Sequence, residues 1–121
     1  MTDDGSRTGD DGGGDVSDLT LAEVLAEAAD GLAGVIVDAS ESITTWAAGP
    51  AVFATLTGDR AEFRLDPLVA AAALRTPGTE PSARGGDWIA FAPAIIDDHA
   101  LDRAEAWFLS AHRRAAASRR A

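Results

Sequence analysis

Two short runs of ionisable residues hold most of the chemistry this chain could perform. Asp97–Asp98–His99 places three metal-capable side chains together. Neighbours at a helix start rarely converge on one ion, however, and no second cluster supplies further ligands. The better reading is an N-cap followed by a surface histidine. His112 follows thirteen residues later. At 3.6 residues per turn the two histidines fall on nearly opposite faces of one helix. Glu62, Arg64 and Asp66 alternate, so they share one face of a strand. In a cleft such carboxylates could move protons; on an open sheet they form a solvated face of charge pairs. Ser40, Ser42, Ser82 and Ser110 could enter a triad with either histidine only through the fold, because none sits in a Gly-x-Ser-x-Gly elbow. We assign no catalytic residue and expect neither a metal nor a cofactor.

Two further features point to binding. Ser82-Ala-Arg84-Gly85-Gly86 could wrap an anion with backbone amides and the Arg84 guanidinium, although the strand–loop–helix setting of a phosphate loop is absent. Trp46, Trp88 and Trp107 would form either a core cluster or an aromatic pocket, with the core favoured. Trp46, Arg64, Arg84 and Trp88 are therefore the candidate ligand-binding residues. Arg60, Arg113 and Arg114, helped by Arg64, are the candidates for contact with nucleic acid.

Composition narrows the chemistry. The 121 residues include no cysteine, tyrosine, lysine, asparagine or glutamine. That removes disulfides, thiolate nucleophiles, Schiff-base lysines and amide oxyanion holes. The net charge is −10, and all ten basic residues are arginine. A lysine-free, alanine-rich chain reads as coding bias in a GC-rich bacterial genome. Proteins that neutralise duplex phosphates carry a basic face, and here only the C-terminal end offers one. No apolar run reaches the ~18–20 residues of a membrane span. The N-terminus is acidic where a signal peptide would be basic and apolar. We expect a cytoplasmic protein with no membrane contact.

The elements that must position these residues follow from periodicity. Residues 1–18 carry six Asp and one Arg with almost nothing apolar, which predicts a disordered acidic tail. Residues 19–117 form one α+β domain, and 118–121 a basic C-terminal tail. Thr20 and Glu23 have capping-box spacing, with Leu21, Val24, Leu25, Ala28 and Leu32 on one helical face. Short strands follow over 35–38 and 43–47. Two alternating runs, 52–57 and 60–65, flank Gly58–Asp59, the signature of a tight hairpin. Asp66–Pro67 opens a short helix. Residues 77–87 read as a Pro/Gly loop, and 88–92 as another strand. The last helix carries Leu101, Ala104, Phe108, Ala111 and Ala115 as its stripe, with Trp107 on the flank. The expected architecture is a two-layer sandwich, an antiparallel meander sheet covered by helices on one face.

The stretch Phe53–Arg114 resembles the MmcQ/YjbR-like family of small bacterial proteins. The resemblance rests on FATLTGDRAEFRLDP (Phe53–Pro67), DWIAFAP (Asp87–Pro93) and DDHALDRAEAWFLSAHRRA (Asp97–Ala115), in that order. A luciferase-like domain family shares a similar layout. The first resemblance implies a fold likened to double-wing DNA-binding domains, and through that shape a DNA-binding role. The chain departs from the basic members of that family in its strongly negative charge. We therefore expect a non-enzymatic interaction or ligand-binding module with a protein or small-molecule partner. Nucleic-acid binding is the alternative, and a small acid–base enzyme a third. An uncovered sheet edge would allow a homodimer by strand pairing.

Overall fold

The structure, a computed structural model, describes residues 19–120, with side chains through Ala117. The acidic tail expected over 1–18 lies outside the described residues. The chain enters α1 (Leu21–Asp30) through a complete capping box. Thr20 Oγ1 accepts the Glu23 amide at 3.1 Å, and Glu23 Oε1 accepts the Thr20 amide at 2.9 Å. Two amides that the helix cannot satisfy itself are thereby paired. The face bearing Leu21, Val24, Leu25 and Ala29 is buried.

Four strands run up and down next: β1 (Val35–Ala39), β2 (Thr44–Ala48), β3 (Ala51–Thr57) and β4 (Arg60–Arg64). Gly58 turns the β3–β4 hairpin with φ at +60°, a conformation open to glycine at no steric cost. Then come α2 (Pro67–Ala73), β5 (Thr79–Pro81), β6 (Trp88–Phe91) and α3 (Asp98–Arg120). The six strands are ordered β1-β2-β3-β4-β6-β5, and every pairing is antiparallel. This is the expected α+β two-layer sandwich, with two differences. The sheet is not a pure meander, because β6 inserts beside β4 and β5 lies beyond it. β5 itself falls within the stretch expected to be loop. Three residues have no periodicity of their own. They become a strand by pairing with β6 and by Thr79 Oγ1 donating to the carbonyls of Ala73 and Thr76. At the other end, residues 118–120 of the expected tail continue α3.

Register assigns the two faces. Trp46, Ala54, Phe63 and Ile89 lie in one cross-strand row under the helices. Trp46 pairs with Ala54 and Ala47 with Val52, which leaves Phe53 as a bulged residue. The bulge turns Phe53 inward beside Ala54, and both are fully buried. All three helices contribute to the same cluster. Phe108 of α3 is its hub, edge-on to Trp46 at 5.3 Å and to Phe53 at 5.2 Å. Burying such a ring stabilises by roughly 1.5–3 kcal/mol. Trp107 packs separately, edge-on to Phe91 at 5.1 Å.

Asp66 occupies the N-cap position of α2 but makes no capping bond. Its carboxylate lies 3.5 Å from Arg114 Nε instead. Arg114 also donates to Leu65 O, and to Asp87 Oδ2 at 2.7 Å. One α3 guanidinium thus ties the exit of β4 to the entry of β6. Asp97 does cap α3, accepting the Ala100 amide at 2.9 Å.

Candidate functional site

The face of the sheet away from the helices carries a polar network. Its centre is Glu62 on β4, with a side chain 14% exposed. Thr55 Oγ1 donates to Oε1 at 3.0 Å, Ser82 Oγ to Oε2 at 2.5 Å, and Arg84 Nε to Oε1 at 3.0 Å. Burial alone pushes the Glu62 carboxyl up. Hydrogen bonds from Ser82, Arg84 and Thr55, together with the Arg84 charge, outweigh it and hold the group below its ordinary value. Arg84 lies 5.3 Å from the centroid of the Trp88 ring, within cation–π range. Arg64 is exposed and pairs in register with Trp88. The structure thus brings Arg64, Arg84 and Trp88 together on one face.

Trp46, the fourth candidate ligand-binding residue, is on the other face. The three tryptophans do not converge. Trp88 is separated from Trp46 by the sheet, and Trp107 packs on different rings. Trp46 lines a groove of about 380 Å³ between α1 and the first two strands. The α1 wall is Ala22, Ala26 and Ala29. Val37 of β1 and Leu56 of β3 close much of the rest. Trp46 is 2% exposed, and its Nε1–H has no acceptor among the described residues. A buried donor is paired in the great majority of native sites, so this unpaired one stands out, shielded within a ring that lines the groove. The size is that of a small-ligand pocket, and its lining is mostly apolar, with Asp30 and Thr44 as its polar members.

Three arginines assigned to nucleic acid or anion contact are engaged internally. Arg60 donates to Glu80 Oε2 at 2.8 Å, Arg84 is bonded to Glu62, and Arg114 to the β4 exit. Arg113 is exposed. The acid–base candidates fall into three neighbourhoods. Glu62 is on the open face, and Asp66 is beside Arg114. His99 lines a wider depression of about 570 Å³ with Gly78, Pro93 and Arg103. Among the described residues no three His, Asp or Glu side chains converge as metal ligands. No helix among them is long and apolar enough to cross a membrane.

Some of the site had a sequence signal. Ala22, Ala26 and Ala29 recur at helical spacing beside the Leu21–Leu25 stripe, a second small-residue stripe that marks a helix side left open. Ser82 had none, since it reaches Glu62 across twenty residues of chain.

Fold and site together define a small α+β domain with an apolar groove on its helical side and a charge-paired open sheet. No family model matches the chain, and neither a curated protein nor a solved structure matches it.

Proposed function

We propose that this chain is a non-enzymatic ligand-binding domain. It takes a small, largely apolar molecule with one hydrogen-bond acceptor into the groove between α1 and β1–β2. The observation that carries the proposal is Trp46, whose buried Nε1–H has no acceptor among the described residues while its ring lines an apolar groove. Leaving a buried donor unpaired costs about 1–3 kcal/mol. A ligand carbonyl or ether oxygen that displaced the wall shielding Nε1 would recover that cost on binding, while the alanine and valine walls take the apolar body and Asp30 and Thr44 remain the polar members of the lining. Kinship with MmcQ/YjbR-like proteins is part of the proposal, supported by the hairpin, the Trp88 strand and the terminal helix in that order. A cytoplasmic location, in keeping with a cysteine-free chain, belongs to it too.

The test is a panel of small apolar carbonyl compounds screened by ¹H–¹⁵N NMR. The Trp46 indole resonance is assigned by its disappearance in Trp46→Phe. A binder should move that resonance downfield and shift Ala26, Ala39 and Leu56. A panel that leaves the indole resonance unmoved, or binds only elsewhere, refutes the assignment.

A further inference from the structure

The two edges of the sheet are unlike. β5 is three residues long and ends in Pro81, which has no amide to offer. Thr79 is bonded to the end of α2, and Glu80 is ion-paired to Arg60. Such an edge is blunted against strand addition. β1 is the other edge. Its sequence, Val-Ile-Val-Asp-Ala, has no proline and one charge. Ile36 is 57% exposed and Val37 53% exposed.

Hydrogen-bond phase shows which β1 backbone groups are free. The Ser40 amide donates to Ile43 O at 2.9 Å. Antiparallel pairs alternate between bonded and non-bonded. Asp38 and Ile36 therefore bond across to β2, and Val35, Val37 and Ala39 turn their N–H and C=O groups outward. We infer that β1 pairs with β1 of a second copy, antiparallel and centred on Val37, to make a continuous twelve-stranded sheet.

The register follows from the residues. Centring on Val37 sets Val37 opposite its counterpart and Val35 opposite Ala39, so all three outward residues are bonded. Asp38 then faces Ile36 of the second copy. Centring on Asp38 would place like charges directly opposite, which is unfavourable. Centring on Ile36 would leave fewer of the outward groups paired. A two-fold axis through the Val37 pair runs perpendicular to the sheet, keeping the helices of both copies on one side. Val37 also lines the Trp46 groove, so the pairing would join the two grooves end to end.

The absence of cysteine makes the test clean. Facing residues in a bonded antiparallel pair have Cα atoms about 5.5 Å apart, inside the disulfide range. Val37→Cys should cross-link to itself under mild oxidation. Ile36→Cys and Asp38→Cys should each fail alone and link when mixed. Sedimentation of the unaltered chain should show a dimer, tighter at higher salt because each copy carries a net charge of −10. Val37→Lys, with folding checked by circular dichroism, should weaken the dimer at least about tenfold by setting like charges opposite. Val37→Thr should keep it. A monomer at the highest attainable concentration overturns the inference. So does a dimer whose Val37→Cys fails to link.

Discussion

Ser82 Oγ donates to Glu62 Oε2 at 2.5 Å while accepting the Arg84 amide at 3.0 Å. One buried hydroxyl thereby orients both the carboxylate and the loop that brings Arg84 to it. A hydroxyl aimed at a carboxylate oxygen favours the ionised form, and Thr55 and Arg84 add to it. Glu62 is therefore a poor general acid at neutral pH and a weakened base. Its partners come from β3 and from the turn following β5, so the network holds sheet and loop together. The open face is a clamp, and the groove around Trp46 is the better place to look for a ligand.

Glu62→Gln tests the clamp. The substituted amide cannot accept from all three donors and leaves Arg84 without its charge partner. The expected loss is about 1–3 kcal/mol in urea unfolding at pH 7. The pH dependence has a definite sign. A carboxyl held below its ordinary value in the folded state stabilises fully above the unfolded value. That stability drains away as the pH falls through the folded value. The variant should lack this acid-side component, so the two unfolding midpoints should converge on acidification. Midpoints that stay equally far apart down to strongly acid pH would remove ionisation from the explanation.

Arg114 offers a second test. Its side chain is 20% exposed and bonded to Leu65 O and Asp87, with Asp66 beside it. Arg114→Met keeps the aliphatic stem and deletes the donors, leaving a carbonyl and a carboxylate without partners. The expected cost is roughly 1–3 kcal/mol. Amide exchange should speed up at Leu65 and through the last turns of α3. Uniform acceleration across the domain, with no local excess there, would mean the tether is not what holds that end of α3.

These two networks also mark where the sequence stopped being informative. The capping box at Thr20, the Gly58 hairpin, the Asp97 cap and the α3 stripe all depend on residues within about four positions of one another. Their spacing alone predicted them. The core face of β4 was legible for the same reason, since Ala61, Phe63 and Leu65 alternate. What failed was everything set by distant partners. β5 exists because β6 is beside it. Asp66 makes no cap bond and lies 3.5 Å from Arg114 Nε, forty-eight residues away. Local sequence groups Trp46 with Trp88, Arg64 and Arg84, but strand register puts it on the opposite face. Its place in the groove depends on where α1 crosses the sheet, which no local pattern states.

Gly78 sits at φ +90°, and a Cβ there would meet Pro93 Cα at 3.2 Å. Its carbonyl accepts the Ala92 amide at 2.8 Å. Gly78→Ala therefore carries left-handed strain of about 1–2 kcal/mol together with a contact that rigid backbone cannot relieve. Gly85 has φ +80° and nothing within 4 Å of the same position. Gly85→Ala should cost the strain alone. Unfolding free energies of the two variants, measured side by side, isolate the Pro93 contact as their difference. Equal losses would show that the 76–79 turn moves away from Pro93 freely.

The arginines decide the remaining question, whether this fold binds duplex DNA. Residues 19–121 contain fourteen acidic side chains against nine arginines, so they are acidic on their own. Arg60, Arg84 and Arg114 are held by Glu80, Glu62 and the β4 exit, and freeing any of them for a phosphate would break a pair. Phosphate contacts release counterions, which makes genuine binding strongest at low salt. A titration with mixed-sequence duplex and single-stranded DNA should therefore show no salt-sensitive binding even at low ionic strength. Arg113→Ala, which touches the exposed member of the cluster, should change nothing. Tight binding that fades steeply with salt and weakens in Arg113→Ala would restore the double-wing reading. It would also show that local positive charge on α3 outweighs the field of the whole domain.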